Sequence, residues 1–356
     1  MLFYLFPYLF IVFVSLNLFF SRVKRVKFWH LMFMIFPAFL VAFLRGNVGT
    51  DSFFYLGLFD DYAHYGESNS RYEPGFEMLG KALMALGITP RFGVALVSAI
   101  TTIILCYSFS KSKNQMAVFA LLLFPLYYYD FTMNGIRYGL SFSIATLDID
   151  EFYKKKYKKT LIFSLLALSI QYSSLLVLLP FIGVLIEKKY IIVLSVLLMG
   201  AIFLFPDYFA FITDRIAGKK DAYSEIFAPS LTSGLAPLLV VLLIYVNYLW
   251  FNKRNKVPRL VHVIFICEFL SFIMAKFTYA GLRFQGAFMF AMIVYLKNNS
   301  QELNISNLRN YTINLFLISI IGIVLFVKNI TTVVQDELTP FLPYKFYWEE
   351  QKPNSL

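Results

Sequence analysis

Arg45, Arg137 and Arg283 stand out in this chain because each lies beside a turn at the end of a very apolar stretch. Arg45 opens the segment Arg45-Gly46-Asn47-Val48-Gly49-Thr50-Asp51. Arg137 follows Met133-Asn134-Gly135, and Arg283 follows the turn Thr278-Tyr279-Ala280-Gly281-Leu282. A guanidinium fork matches phosphate oxygens two at a time and stays charged when desolvated. Neighbouring Gly or Asn lets a ligand come close to the backbone. Taken singly, an arginine in such a place serves as a snorkelling anchor. Three of them, drawn from distant regions to one depth, are what an isoprenoid diphosphate would need.

Two carboxylates accompany them. Asp51 is a candidate general base, since a carboxylate near fixed arginines stays ionised and can still accept a proton; it reads equally as a helix N-cap. Glu73, in Tyr72-Glu73-Pro74-Gly75-Phe76, is the second candidate, and it too could open a helix with proline in the first turn. Paired carboxylates suit glycosyl chemistry, but their spacing along the chain does not fix their separation in space. The histidines, His30, His64 and His262, are weaker signals. Glu268 and Lys276, two turns apart, read as an internal polar pair. Tyr127-Tyr128-Tyr129 and Phe346-Tyr347-Trp348 suit sugar stacking or, more simply, an aromatic belt at a membrane interface. The chain carries no metal-ligand spacing, P-loop, dinucleotide fingerprint or Ser/His/Asp arrangement, so neither a metal nor a cofactor is expected.

The elements that must position these groups follow from composition. Of 356 residues, 59% are hydrophobic, 19% aromatic and only 15% charged, where a soluble protein would carry about a quarter charged. Apolar runs of about 17–25 residues alternate with short polar clusters, the length that spans a hydrocarbon core of ~30 Å. The expected fold is all-α: one integral-membrane domain, a polytopic transmembrane bundle of about twelve segments. These lie at roughly 1–20, 28–44, 91–109, 115–131, 136–152, 160–172, 174–186, 190–206, 233–251, 260–276, 280–297 and 311–327. The net charge of +11 sits in short loops, so it reports orientation and not nucleic-acid binding.

With the basic clusters at 22–27, 111–113, 154–159, 188–189 and 252–256 cytoplasmic, both termini fall outside. That assignment favours a split of 160–186 at Gln171-Tyr172-Ser173-Ser174 into two short or re-entrant elements, with irregular backbone tolerated only against protein or water; a single tilted span is the alternative. The outer parts are then a first loop at 45–90, a second at 207–232 and a tail at 328–356. The opening stretch reads as a first span and not a removable signal, and Cys106 and Cys267, inside apolar runs, are not expected to form a disulfide.

The pattern Arg45-x-x-Val48-Gly49-Thr50-Asp51-x-x-x-Tyr55, followed by Tyr72-Glu73-Pro74-Gly75-Phe76 and Asn134-x-x-Arg137, resembles the EpsG family of bacterial exopolysaccharide and O-antigen polymerases of the Wzy type. The resemblance covers about the first half of the chain; the second half adds matching hydropathy and a late arginine, Arg283. It departs at one point: where the family commonly shows His-x-Ser, this chain has Gln171-Tyr172-Ser173. Glutamine can hydrogen-bond a sugar or phosphate but cannot shuttle a proton.

The resemblance implies a metal-independent glycosyltransferase of a GT-C-like, multi-span architecture in the bacterial inner membrane. A growing glycan on undecaprenyl diphosphate would be transferred at the periplasmic face onto a fresh lipid-linked repeat unit. Arg45, Arg137 and Arg283 would clamp diphosphate, Asp51 or Glu73 would act as base, and Tyr55, Asn134 and Gln171 would contact substrate. Membrane lipid surrounds such a protein, and a chain-length regulator protein is an admissible partner. A lipid-linked oligosaccharide flippase and an O-antigen ligase remain as alternatives. The former is disfavoured by the lack of a two-fold repeat, the latter by modest outer loops.

Overall fold

A computed structural model describes residues 1–21, 27–67, 72–185, 232–251, 258–276, 279–299, 305–331 and 341–349. Their regular structure is helical. The helices are α1 (Leu2–Phe20), α2 (Phe28–Phe43), α3 (Ser52–Tyr65), α4 (Pro74–Ala85), α5 (Pro90–Phe109), α6 (Lys113–Val118), α7 (Ile136–Tyr153), α8 (Tyr157–Ile170) and α9 (Ser174–Leu185). Then follow α10 (Leu235–Phe251), α11 (Arg259–Met274), α12 (Tyr279–Asn299) and α13 (Ile305–Thr331). From α6 the chain continues in wide π-type turns over Phe119–Tyr128 and Asp130–Asn134, a stretch that includes Pro125, which has no amide proton to donate.

Every apolar stretch expected from the sequence coincides with a helix, except 190–206, which lies outside the described residues. The second outer loop, 207–232, also lies outside them but for Thr232. Among the described residues, two helices are long and apolar enough to cross a membrane, α5 and the Asn314–Thr331 part of α13. Shorter apolar helices occupy Leu2–Leu18, Phe28–Phe43, Ser174–Val184 and Leu235–Trp250.

Helix faces point to a membrane setting. On α1, Tyr4, Tyr8, Ile11 and Ser15 are buried at helical spacing, whereas Phe6, Leu9 and Phe13 are 64%, 64% and 67% exposed. On α8, Leu161, Ile162 and Leu165 are likewise exposed. Large apolar side chains in contiguous outward stripes would be a liability in water and are what a lipid-facing surface needs. This is a membrane protein.

The chain forms two compact units, Met1–Leu175 with Ile293–Leu356, and Leu176–Met292. In the first, α5 packs between α2, α3 and α7. Its buried Ser98, Thr101 and Thr102 return their hydroxyls to carbonyls four residues back in the same helix, at 3.2, 2.9 and 2.9 Å, the usual way a hydroxyl is satisfied in an apolar helix. Helices α7 and α8 form an antiparallel hairpin around the Lys154–Lys156 turn. Ser141 donates to the Ala167 carbonyl at 2.7 Å, and Ser164 donates to Asp148 at 2.7 Å. The hairpin partner α8 ends at Gln171, whose backbone is extended (φ −156, ψ 118), before α9 restarts at Ser174. The polar break expected at Gln171–Ser174 is therefore a real interruption of the helix.

The first outer loop contains two helices, α3 and α4. Tyr127, Tyr128 and Tyr129 are 4%, 0% and 3% exposed, so they are interior packing groups and not an interfacial belt; Tyr129 stacks on Phe326 and Tyr128 meets the Thr102 hydroxyl at 3.1 Å. The C-terminal segment 341–349 is tied to the rest of the first unit. It pairs with the end of α2, with Gly46 N–H donating to the Lys345 carbonyl at 2.8 Å and Tyr347 N–H to the Leu44 carbonyl at 3.1 Å. Tyr4 and Tyr344 hydroxyls tie the same segment down, to the Phe341 and Val41 carbonyls respectively.

In the second unit, buried Glu268 accepts from Gln285 at 2.9 Å, while Lys276 donates to the Ser233 carbonyl and lies 4.0 Å from the Phe272 ring centroid. The Glu268–Lys276 pairing expected from helical spacing is replaced by these contacts. The residues before Arg283, expected to be a turn, form the first turn of α12 from Tyr279 onward. Gly281 is needed there because a Cβ would sit 2.2 Å from the Ala275 amide nitrogen.

Candidate functional site

The four sequence segments that carry the motif meet in the first unit. The Val48–Tyr55 segment supplies the entry to α3, Tyr72–Phe76 the entry to α4, Asn134–Arg137 the entry to α7, and Gln171–Ser173 the break after α8. Each is a helix end, where backbone groups are left over and a ligand can be met.

Arg137 is the centre of the arrangement. Its guanidinium is ion-paired with Glu73 and lies 4.7 Å from the centroid of the Tyr72 ring. Glu73, only 7% exposed, uses its other oxygen to accept from the Tyr172 amide at 3.4 Å. It precedes Pro74 at the first turn of α4 but makes no side-chain cap, so its carboxylate is turned to Arg137 and not to its own helix. Three buried polar atoms around this pair have no hydrogen-bond partner in the protein: Arg137 Nε, Gln171 Oε1 and Ser173 Oγ. Unspent capacity of this kind in a buried place suits a polar ligand.

Tyr55, buried at 7% exposure, lies within electrostatic reach of Arg137, Asp51 and Tyr72. Burial pushes its hydroxyl well above the ordinary phenol range, so it stays a proton-bearing donor. Asp51 begins α3 without giving its carboxylate to a capping bond, which removes the N-cap alternative for its side chain. Asn134 holds the loop before it: its Oδ1 accepts from the Thr50 amide at 3.1 Å and its Nδ2 donates to Asp130 at 3.2 Å. Gly49, with φ +111, passes so near that a Cβ would lie 2.8 Å from both Asn134 Oδ1 and the Met133 carbonyl. Close approach and a positive φ together explain the glycine.

Arg45 takes a different part. It is fully buried, and its guanidinium donates to the Ala42 carbonyl at 2.8 Å, the Thr132 carbonyl at 2.6 Å, Ser98 Oγ at 3.4 Å and Ser52 Oγ at 3.3 Å. Burial first, then the neighbouring Arg91 cation, lower its pKa from the ordinary value. These bonds join the end of α2, the start of α3, the middle of α5 and the turn before α7. Enclosed in this way, Arg45 holds the loops that present Asp51 and Arg137 and does not itself reach the outside. Arg283 lies exposed on α12 in the second unit.

The histidines have ordinary partners: His30 closes the start of α2 with Lys27, His64 pairs with Asp60 at 3.3 Å, and His262 meets the Tyr245 hydroxyl at 2.7 Å. Among the described residues no group of three or more His, Cys, Asp or Glu side chains comes together.

The sequence model of the EpsG family matches residues 27–346, nearly the whole chain. The chain belongs to the EpsG family. The match takes in all the segments that surround Arg137 and extends well past the half of the chain in which the motif was legible. EpsG-family membership points to polysaccharide-polymerase-like, glycosyltransferase-type activity. No curated protein and no solved structure matches the chain.

Sequence reasoning missed one constellation in this EpsG-family protein. Lys297 and Asp150, 0% and 3% exposed, form an ion pair; Ser108 accepts from Lys297 at 2.5 Å and donates to Asp150 at 3.2 Å, and Lys111 closes on the second carboxylate oxygen. The signal available was the placing of Asp150 and Lys297 near the ends of two largely apolar stretches.

Proposed function

We propose that this EpsG-family protein is a Wzy-type polymerase. It transfers a growing undecaprenyl-diphosphate-linked glycan onto a new lipid-linked repeat unit at the periplasmic face of the bacterial inner membrane. About twelve membrane segments, with the basic clusters cytoplasmic, would place the Glu73–Arg137 site at that face. The observation that carries this reading is the convergence of four distant motif segments on Arg137, leaving a guanidinium beside buried polar atoms of Gln171 and Ser173 that have no partner in the protein.

In the reaction, an acceptor sugar hydroxyl attacks the anomeric carbon of the donor glycan. The new glycosidic C–O bond forms as the bond to the diphosphate oxygen breaks, and the diphosphate leaves on its isoprenoid. The acceptor proton passes to the Asp51 carboxylate. Charge builds on the leaving oxygen, and a preorganised cation there is the largest contribution available to the protein. Arg137, its plane fixed by Tyr72 and Glu73, supplies it. Glu73 is thereby committed to the arginine, and the base role falls to Asp51. Tyr55 and Gln171 offer a donor and an amide for sugar or phosphate, and Asn134 sets the loop that carries Asp51. Arg283 is a phosphate-binding candidate tested by its own substitution. The arginine charge removes the need for a metal.

The test is chain elongation of lipid-linked repeat units by the purified protein in nanodiscs, with leaflet movement followed in parallel. Elongation without flipping, lost in Arg137→Ala, is the expected result. Normal long-chain polymer from Arg137→Ala at normal expression overturns the proposal.

A further inference from the structure

Helix α3 has two working faces. At 100° per residue, Tyr55, Phe59 and Tyr62 lie on one side, the side buried against the protein. Leu56, Gly57 and Asp60 lie on the other, and there they line a separate cleft of about 710 Å³. Cavities of about 300–1,000 Å³ with apolar walls and few polar groups are the usual form of a small-ligand site. The inner wall is apolar, from Phe43 at the end of α2 and Phe92 and Ala95 on α5. Its cation is Arg91, in the first turn of α5. The Arg91 guanidinium donates to the Phe43 carbonyl at 3.2 Å and lies 5.5 Å from the centroid of Tyr347, in the C-terminal segment that closes one side. The N-terminus of a 20-residue helix adds positive potential at the same point.

We propose that this cleft binds the carrier diphosphate of the second lipid-linked substrate, the acceptor unit, while the Glu73–Arg137 site binds that of the donor. The inference rests on the polymerase reading above, because joining two lipid-linked saccharides requires two carrier diphosphates bound together. The cleft has the matching chemistry: a guanidinium for the diphosphate, and aromatic and aliphatic side chains for the first isoprene units. Asp60, exposed on the facing wall, can accept hydrogen bonds from sugar hydroxyls. The two sites share α3 as a partition, and both are braced by Arg45, which donates to Ser52 at the start of α3 and to Ser98 on α5. Ser98 lies two helical turns from Arg91 on the same face of α5. An acceptor held on one side of α3 and a donor on the other would meet past the Asp51 end of that helix.

Binding stoichiometry tests this without turnover. Full-length protein in phosphatidylcholine nanodiscs is titrated with radiolabelled undecaprenyl diphosphate. Two equivalents are expected for the wild type. Arg91→Gln should remove one, leaving an equivalent that Arg137→Gln removes. Gly57→Trp supplies an independent block: Gly57 lines the cleft and a Cβ there meets nothing within 4 Å, so a side chain can start from this position to obstruct it. It should weaken one equivalent at least tenfold. A single equivalent in the wild type overturns the proposal, as do two equivalents untouched by Gly57→Trp. Loss of one equivalent when phosphatidylglycerol is added overturns it too, since the cleft would then serve ordinary anionic lipid. If two equivalents bind as expected but lipid-linked units are never elongated, the polymerase reading fails instead.

Discussion

Glu73 at the start of α4 and Arg137 at the start of α7 are ion-paired, and the Arg137 guanidinium lies over the Tyr72 ring. The contact divides roles that their residue types leave open. A carboxylate bound to a guanidinium orients it and is poorly placed to take a proton; a guanidinium fixed in plane by a ring and a carboxylate is ready for an anion.

Arg137→Ala should therefore lower polymerisation by about 10²–10³-fold, the size expected when one preorganised donor to a developing oxyanion is removed. Arg137→Lys should be nearly as impaired, because an ammonium keeps the charge and loses the planar fork. Glu73→Gln should be milder, retaining a hydrogen bond to Arg137. Initial rates of chain growth for the three variants at matched expression check the order.

Asp51→Asn should lower the chemical step by about 10²–10⁴-fold, the range for a positioned general base, while undecaprenyl diphosphate binding stays unchanged. Asp51→Glu should recover part of the rate. An Asp51→Asn variant with normal turnover and weakened binding would move Asp51 from the base to a ligand contact.

The helix contacts that frame the site depend on two glycines. A Cβ at Gly75 would lie 2.3 Å from Ser169 Oγ, and one at Gly139 would lie 2.3 Å from the Phe131 carbonyl oxygen. Each alanine substitution should destabilise by about 1–3 kcal/mol. Adding Ser169→Ala should relieve part of the Gly75→Ala defect, whereas Gly139→Ala meets backbone and has no such remedy. Thermal unfolding in detergent reads both effects.

Lys297 and Asp150 are both buried; removing Asp150 strands the Lys297 charge, whereas removing Lys297 leaves Asp150 with Lys111. Asp150→Leu should therefore cost about 3–5 kcal/mol and Lys297→Met less, and adding Lys297→Met to Asp150→Leu should recover much of the larger loss. Detergent melting temperatures of the two singles and the double give the coupling. Equal and additive losses would mean that Lys111 and Ser108, the other partners of Asp150, carry the cluster.

Arg45→Lys should impair folding more than binding. A lysine cannot serve the Ala42 and Thr132 carbonyls together with Ser52 and Ser98, and groups left unsatisfied cost about 1–3 kcal/mol each. The expected readout is reduced yield and a lowered melting temperature, with any protein that does fold keeping two-site binding.

The sequence by itself determined the apolar stretches, the helices they form within the described residues, the break at Gln171–Ser174, and the motif residues Asp51, Glu73, Asn134 and Arg137. These are local properties: run length, turn residues, and ionisable groups placed beside apolar stretches. Tertiary structure decided what those residues do to one another. Arg45 and Arg137 look alike in sequence, each an arginine beside a glycine turn, yet one is enclosed by four hydrogen bonds and the other faces Glu73 and Tyr72. The pairing of Glu268 with Gln285 in place of Lys276, the burial of Tyr127–Tyr129, and the return of Phe346 to the end of α2 are of the same kind. Helical spacing states which residues share a face, but the partner across that face comes from a distant part of the chain, and packing alone selects it.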